Sequence, residues 1–250
     1  NNLSHTFRKR WGQNFLQDPN IISKILESSG ARPNDVFIEV GAGSGALTFP
    51  LAEMAKKVYA IEIDPHLIPG LRSEAAANIE ILHEDFLKMD LTVFGDGIKF
   101  IGNLPYYITT PIIFKVLSVK NWLSALFMVQ KEVAERICSK PGNKIYGRLS
   151  VMLQALADVE KLFDIPPTVF YPKPDVHSTV IKLTPVNRSI KDWDLFSQMV
   201  KQAFGQRRKK LRNTISEYLL GESKMMFEEK RPEVLSVEEF ILISNSCAEV

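Results

Sequence analysis

Val36-Phe37-Ile38-Glu39-Val40-Gly41-Ala42-Gly43-Ser44-Gly45 is the stretch on which the fold turns. Four apolar residues around Glu39 read as a buried strand, and the glycines that follow read as a tight turn. Residues 46–55 then have helical character. Strand, glycine-rich turn and helix in that order make the opening unit of an α/β sheet, where glycines let a ligand approach the backbone near a helix N-terminus. Dinucleotide-binding loops show G-x-G-x-x-G/A. The spacing here is G-x-G-x-G, with Ala46 keeping a partial match, so the glycines alone do not identify the ligand.

Outward from this stretch, strand and helix signals alternate to about residue 130. Residues 58–63, 79–82, 98–101 and 123–129 read as further strands with helices between them, and Pro65 is placed to open the second helix. Five such strands predict a parallel sheet covered on both faces. Residues 159–165 and 179–183, joined by a proline-rich link, predict an antiparallel pair at a sheet edge. After Pro185 the pattern becomes helical, with amphipathic candidates at 192–204 and 209–220 separated by Gly205. Shorter helices are expected near 223–229 and 236–244, the last opened by the capping box Ser236-x-x-Glu239. Two domains follow, residues 1–185 and 186–250, the second small and all-helical.

Three features sharpen the ligand. Glu62 ends the second strand about 20 residues after the glycine turn, where a carboxylate can accept from ribose hydroxyls. Asp85 follows the third strand, where it can accept from an adenine amine or cap a helix. No basic residue lies near the glycine turn to meet a pyrophosphate, so a nucleoside such as S-adenosylmethionine fits better than a dinucleotide. Asn103-Leu104-Pro105-Tyr106 follows the fourth strand and has the makings of a clamp for a flat amino-substituted ring. An Asn side-chain oxygen and a backbone carbonyl ahead of Pro can accept from one exocyclic amine, and Tyr106 offers a face for stacking. The same tetrapeptide can also be a plain turn.

The composition bounds the remaining possibilities. The 250 residues are 45% hydrophobic, enough for a substantial core, with a formal net charge of only +2. Positive charge is nonetheless clustered: Arg8, Lys9 and Arg10 near the start, and Lys201, Arg207, Arg208, Lys209, Lys210 and Arg212 later. Such blocks on a nearly neutral chain suit nucleic-acid phosphates. Two distant cysteines, Cys138 and Cys247, and four scattered histidines predict neither a disulfide framework nor a metal site. No signal-peptide pattern or membrane-length apolar run is present, so a cytoplasmic protein without a membrane partner is expected.

These motifs together resemble the KsgA-type ribosomal RNA adenine dimethyltransferases. The resemblance is carried by Trp11-Gly12-Gln13-Asn14-Phe15-Leu16, Glu39 to Gly45, Glu62-Ile63-Asp64, Asp85 and Asn103 to Tyr106. It continues through Tyr146-Gly147-Arg148-Leu149-Ser150-Val151, Phe170-Tyr171-Pro172-Lys173-Pro174, residues 204–213 and residues 231–240, which is nearly the whole chain. It implies a class I, Rossmann-like methyltransferase fold: an α/β structure with a seven-stranded, mostly parallel sheet and a small C-terminal helical domain. It implies S-adenosylmethionine contacts from Gln13, Asn14, Leu16, Gly41, Gly43, Glu62, Asp85 and Asn103. Asn103 and the Pro105 carbonyl are expected to hold the target amine, with Tyr106 and Phe170 sandwiching the base. Arg8, Lys9, Arg10, Arg207, Arg208, Lys209, Lys210 and Arg212 are expected to grip RNA. The implied substrate is a pair of neighbouring adenosines near the 3′ end of small-subunit ribosomal RNA, within an assembling small subunit, and the chain is expected to act as a monomer. Competing readings are dimethylation of large-subunit RNA, an assembly factor acting mainly by binding RNA, and, more remotely, a dinucleotide oxidoreductase.

Overall fold

A computed structural model describes residues 13–248. Nine strands are found among the described residues: β1 (Phe15–Leu16), β2 (Val36–Val40), β3 (Lys57–Glu62), β4 (Ile79–His83), β5 (Ile98–Asn103), β6 (Ser124–Gln130), β7 (Ala157–Ile165), β8 (Phe170–Tyr171) and β9 (Ser178–Pro185). Seven of them form one sheet in the order β4-β3-β2-β5-β6-β9-β7. Neighbours from β4 to β6 are parallel, and β9 runs antiparallel to β6. β1 and β8 make a separate antiparallel pair, Phe15 facing Tyr171 and Leu16 facing Phe170.

Parallel strands covered on both faces must be apolar along their length, and these are. Ile38, Val58, Ala60, Ile101, Phe127 and Val129 are all fully buried. Each large aliphatic or aromatic side chain so buried contributes roughly 1.5–3 kcal/mol. Helix Pro19–Ser29 packs Ile25 and Leu26 into the same core. Its start is set by Asp18, whose carboxylate accepts from the Asn20 and Ile21 N–H groups at 2.9 and 3.0 Å.

The strand order places a topological switch between β2 and β5, the position where open α/β sheets bind ligands beyond their strand ends. Gly102 lets the two strands approach here: a Cβ on it would lie 2.4 Å from the Val40 carbonyl oxygen.

The chain divides into two compact units. Among the described residues the first comprises 13–134 and 160–185, and the second 135–159 and 186–248. One crossing between the units lies between Pro185 and Val186. Residues 135–159 were expected in the first domain, but they pack with the C-terminal segment. Within that unit the buried Tyr146 donates its hydroxyl to the Leu235 carbonyl at 2.7 Å, and its ring meets Phe204 edge-on at 6.0 Å. Arg188 Nη1 donates to the Gln154 carbonyl at 2.6 Å. Phe196, Met199, Phe227 and Phe240 fill the rest of its core.

Two expected elements differ. Residues 209–220 form two 3-10 turns, Leu211–Asn213 and Ser216–Tyr218, instead of a helix. The Leu211 and Arg212 N–H groups donate to the carbonyls of Lys230 and Glu228, and the Asn213, Thr214, Tyr218 and Leu219 N–H groups bond three residues back, the tight 3-10 pattern. Pro65 does not open a helix either. Asp64 accepts from the His66 N–H at 2.9 Å in a local turn, and the helix begins at Ile68 with Pro69 in its first turn. The pair at the C-terminal side of the sheet exists as β9 beside β7, with β7 outermost. The capping box at Ser236 and Glu239 forms as expected, with bonds of 2.9 and 3.1 Å.

Candidate active site

Beyond the carboxyl ends of β2, β3, β4 and β5 the first unit holds an open cavity. Gln13, Asn14, Leu16, Gly41, Gly43, Glu62, Asp85, Asn103, Pro105 and Tyr106 all line it. Ten expected site residues from five segments of the chain are thus brought to one place. Phe170 is not among the lining residues: it is 4% exposed and packs in the core cluster beside Leu16, so in this arrangement it offers no free face to a base. Arg8, Lys9 and Arg10 lie outside the described residues.

The floor of the cavity is the glycine turn. The Gly41 and Ala42 N–H groups donate to the Ile61 carbonyl at 2.9 and 3.0 Å, closing the turn onto β3. Gly43, with φ +60°, turns its own N–H to Glu62 Oε2 at 2.7 Å. The other Glu62 oxygen accepts from the Asp64 N–H at 2.9 Å and from Gln13 Nε2 at 3.4 Å. Burial pushes the Glu62 pKa up, and these backbone donors pull it partly back. Gln13 Oε1 is buried without a partner among the described residues, an acceptor that a ligand hydroxyl can satisfy.

Glu39 lies beneath the turn, buried and hydrogen-bonded by the Thr48 hydroxyl. Desolvation raises its pKa to about 8, against the lowering effect of Thr48. At neutral pH this carboxyl is therefore protonated.

At the far end of the cavity Asp85 caps the 3-10 turn Phe86–Lys88, its Oδ1 accepting from the Leu87 N–H at 3.1 Å. Both readings of Asp85 are compatible, since one oxygen caps while the residue lines the cavity. Lys115 holds this loop from helix Thr109–Leu117, donating to the Leu87 and Met89 carbonyls at 2.8 and 2.5 Å. Desolvation lowers the Lys115 pKa. Tyr107, 59% exposed, also lines this region. Neither Lys115 nor Tyr107 was marked by spacing, although Tyr107 directly follows the clamp tetrapeptide.

The clamp itself sits where β5 ends. Asn103 Nδ2 donates to the Asn14 carbonyl at 2.9 Å, which leaves Oδ1 as the acceptor end of the amide. The Pro105 carbonyl accepts from the Ile108 N–H at 3.2 Å and from the Thr109 hydroxyl at 3.0 Å. Both its lone pairs are thereby used, which corrects the expectation that Pro105 supplies an acceptor for the ligand. The Leu104 carbonyl, the one ahead of Pro, accepts no hydrogen bond among the described residues, while the Leu104 N–H is spent on the Met128 carbonyl at 3.1 Å. Tyr106, half-buried, shares a hydrogen bond of 3.0 Å with Ser178.

In the second unit the basic block is unevenly available. Arg207 donates to the Tyr146 carbonyl at 3.0 Å. Lys210 and Arg212 both pair with Glu229, Lys210 at 2.5 Å. Arg208 and Lys209 have no ion-pair partner among the described residues.

A model of the ribosomal RNA adenine dimethylase family matches residues 4–249. Among curated relatives, Ribosomal RNA small subunit methyltransferase A of Caldanaerobacter subterraneus subsp. tengcongensis is 42% identical, covering 96% of each chain. The protein of the same name from Nitrosospira multiformis is 39% identical over 97% of each. Among solved structures, a dimethyladenosine transferase from Plasmodium falciparum superposes with a TM-score of 0.83 at 26% identity, covering 94% of this chain and 98% of its own. The 23S rRNA methyltransferase ErmE gives 0.71 at 26% identity, covering 93% and 98%. The chain belongs to the ribosomal RNA adenine dimethylase family.

Proposed function

We propose that this cavity binds S-adenosylmethionine and methylates the N6 amines of adenosines in small-subunit ribosomal RNA, giving N6,N6-dimethyladenosine. The observation that carries the reading is the pair of acceptors at the end of β5: Asn103 Oδ1, oriented by Asn14, and the Leu104 carbonyl, without a partner among the described residues.

The residues suit the cofactor. Glu62 and the orphaned Gln13 Oε1 are acceptors for ribose hydroxyls. Asp85 can accept from an adenine amine at the other end. The glycine turn brings backbone close to a ligand, with Gly41 and Gly43 at φ +78° and +60°. When bound, S-adenosylmethionine supplies a methyl group on a sulfonium, an activated leaving group that needs no covalent help from the protein.

The chain's own work is orientation. An adenine amine is a weak nucleophile because its lone pair is delocalised into the ring. Two acceptors on its N–H hydrogens favour a pyramidal nitrogen with the lone pair aimed away from them, an orientation and electrostatic effect. Tyr106 offers the stacking face. After one methyl the amine keeps a single N–H, so one acceptor releases it before the second transfer. Pairing of Phe170 with Tyr106 about the base requires Phe170 to leave the core position it holds here.

The target base must be extruded to reach the cavity, which favours an unpaired loop adenosine. Arg207, Arg208, Lys209, Lys210 and Arg212 are assigned to RNA phosphates. Arg8, Lys9 and Arg10 are assigned the same role from sequence. The substrate context is an assembling small subunit and the active form a monomer. No helix among the described residues is long and apolar enough to cross a membrane.

The test is transfer of label from S-adenosylmethionine to under-methylated small ribosomal subunits, with large subunits in parallel. Label confined to the small subunit is expected. Label in the large subunit would reassign the target, and label in neither would leave RNA binding as the function.

A further inference from the structure

We propose that Ser178 is a positioning residue: its hydroxyl holds the Tyr106 phenol and so fixes the ring on which the substrate adenine lies. The inference rests on the adenine-methylating reading of the cavity.

Tyr106 belongs to the 3-10 turn Tyr106–Ile108, just past the end of β5, where no strand ladder holds it. Its ring swings about two side-chain torsions unless the far end is tied down. The tie is the hydrogen bond between Tyr106 Oη and Ser178 Oγ, 3.0 Å long. Ser178 is a firm anchor. It opens β9, is fully buried, and faces Gln130 in the antiparallel register with β6. The neighbouring His177 carbonyl accepts from the Lys131 N–H at 3.0 Å, which fixes the strand entry.

A buried hydroxyl in a strand is costly unless it is hydrogen-bonded, and an alanine would avoid the cost. Here its partner is a residue of the cavity wall. The Tyr106 phenol is a neutral hydroxyl at neutral pH, and burial raises its pKa further. With both ends of the ring fixed, the stacking face is set before substrate arrives, and no ordering is needed on binding. A ring free to tilt loses most at the second transfer, where a methylated amine must fit against it in one orientation.

The experiment compares Ser178→Ala, Tyr106→Phe and the double variant for kcat, S-adenosylhomocysteine affinity, and the ratio of monomethyl to dimethyl product. Each single change is expected to lower kcat ~5-fold, the loss of one net hydrogen bond. It is also expected to raise the monomethyl share and leave S-adenosylhomocysteine affinity unchanged. The double variant is expected to be no slower than the singles, because both remove the same bond. Multiplying effects, or a Ser178→Ala loss that appears in cofactor affinity instead of turnover, overturn the proposal. Tyr106→Phe carries the test on its own if Ser178→Ala fails to fold, since it removes the bond from the cavity side; unchanged kcat and product ratio there count against the proposal. If the unsubstituted chain methylates no adenosine, the reading on which the proposal rests fails first.

Discussion

Asn103 gives its amide hydrogen to the Asn14 carbonyl at 2.9 Å, and that one bond decides which end of the amide faces the cavity. A carbonyl cannot accept from another carbonyl, so the nitrogen is held toward Asn14 and Oδ1 is presented. The bond also ties the segment before β1 to the end of β5, 89 residues apart in sequence. In the proposed reading, the cofactor contact assigned to Asn14 and the substrate contact assigned to Asn103 are coupled through this bond.

Glu62 joins the glycine turn, Asp64 and Gln13, and it is assigned to the cofactor ribose. Glu62→Ala is expected to weaken S-adenosylhomocysteine binding ~10–100-fold, the range for hydrogen bonds to a charged group. RNA affinity should stay within a few-fold, because the basic block belongs to the other unit. Calorimetric titration with each ligand checks both; equal loss for RNA would contradict separate sites.

Glu39 makes stability depend on pH. Its folded pKa, about 8, lies above the ordinary glutamate value of 4.5, so the folded chain retains a proton that the unfolded chain has released. Its contribution is complete below about 4.5 and is lost as pH rises toward 8, at up to ~1.4 kcal/mol per pH unit. Burial also raises the Glu62 pKa, which adds a trend of the same sign. Glu39→Gln should flatten the fall in denaturant-measured stability between those limits. A variant with the same slope as the parent would count against a protonated Glu39.

Gly102 is required by contact. With a Cβ 2.4 Å from the Val40 carbonyl oxygen, Gly102→Ala must push β2 and β5 apart. The expected cost is ~1–3 kcal/mol, read as a lower melting temperature, with loss of cofactor binding because both strands end at the cavity. Unchanged melting would mean the strands separate freely.

Arg208 and Lys209 should dominate the salt dependence of RNA binding. Lys210 and Arg212 share Glu229, so those three side chains present a net charge of +1 (two cations less one anion). Removing Arg208 or Lys209 is expected to reduce the slope of log affinity against log salt by ~0.7–0.9 each. Removing Lys210 or Arg212 should change it less. Filter binding across a salt series separates the two outcomes.

The parallel sheet and its cavity were legible in the sequence because each parallel strand is a short apolar run and several lining residues sit at or just past a strand end. Gly41, Glu62, Asp85 and Asn103 are all marked by their distance from a strand end. Bonds made across the chain left no such mark. Residues 209–220 have helical spacing, yet Leu211 and Arg212 bond to Lys230 and Glu228. The packing of residues 135–159 depends on Tyr146 meeting Leu235 and Phe204, contacts without a local signature. In the clamp, the residues pointed to the carbonyl ahead of Pro, which is Leu104, whereas the family resemblance pointed to Pro105; Thr109 and Ile108 consume Pro105 and leave Leu104. Phe170 looked like a stacking residue by motif, while its pairing opposite Leu16 buries it.

The most direct test of the account is single-turnover methylation of under-methylated small subunits at saturating S-adenosylmethionine, comparing the parent chain with Asn103→Ala and identifying the nucleoside formed. N6,N6-dimethyladenosine is expected from the parent, and a rate lower by ~10²-fold or more from Asn103→Ala, the scale of losing one oriented electrostatic partner of the reacting group. An Asn103→Ala rate close to the parent, or label on any atom other than adenine N6, would contradict it.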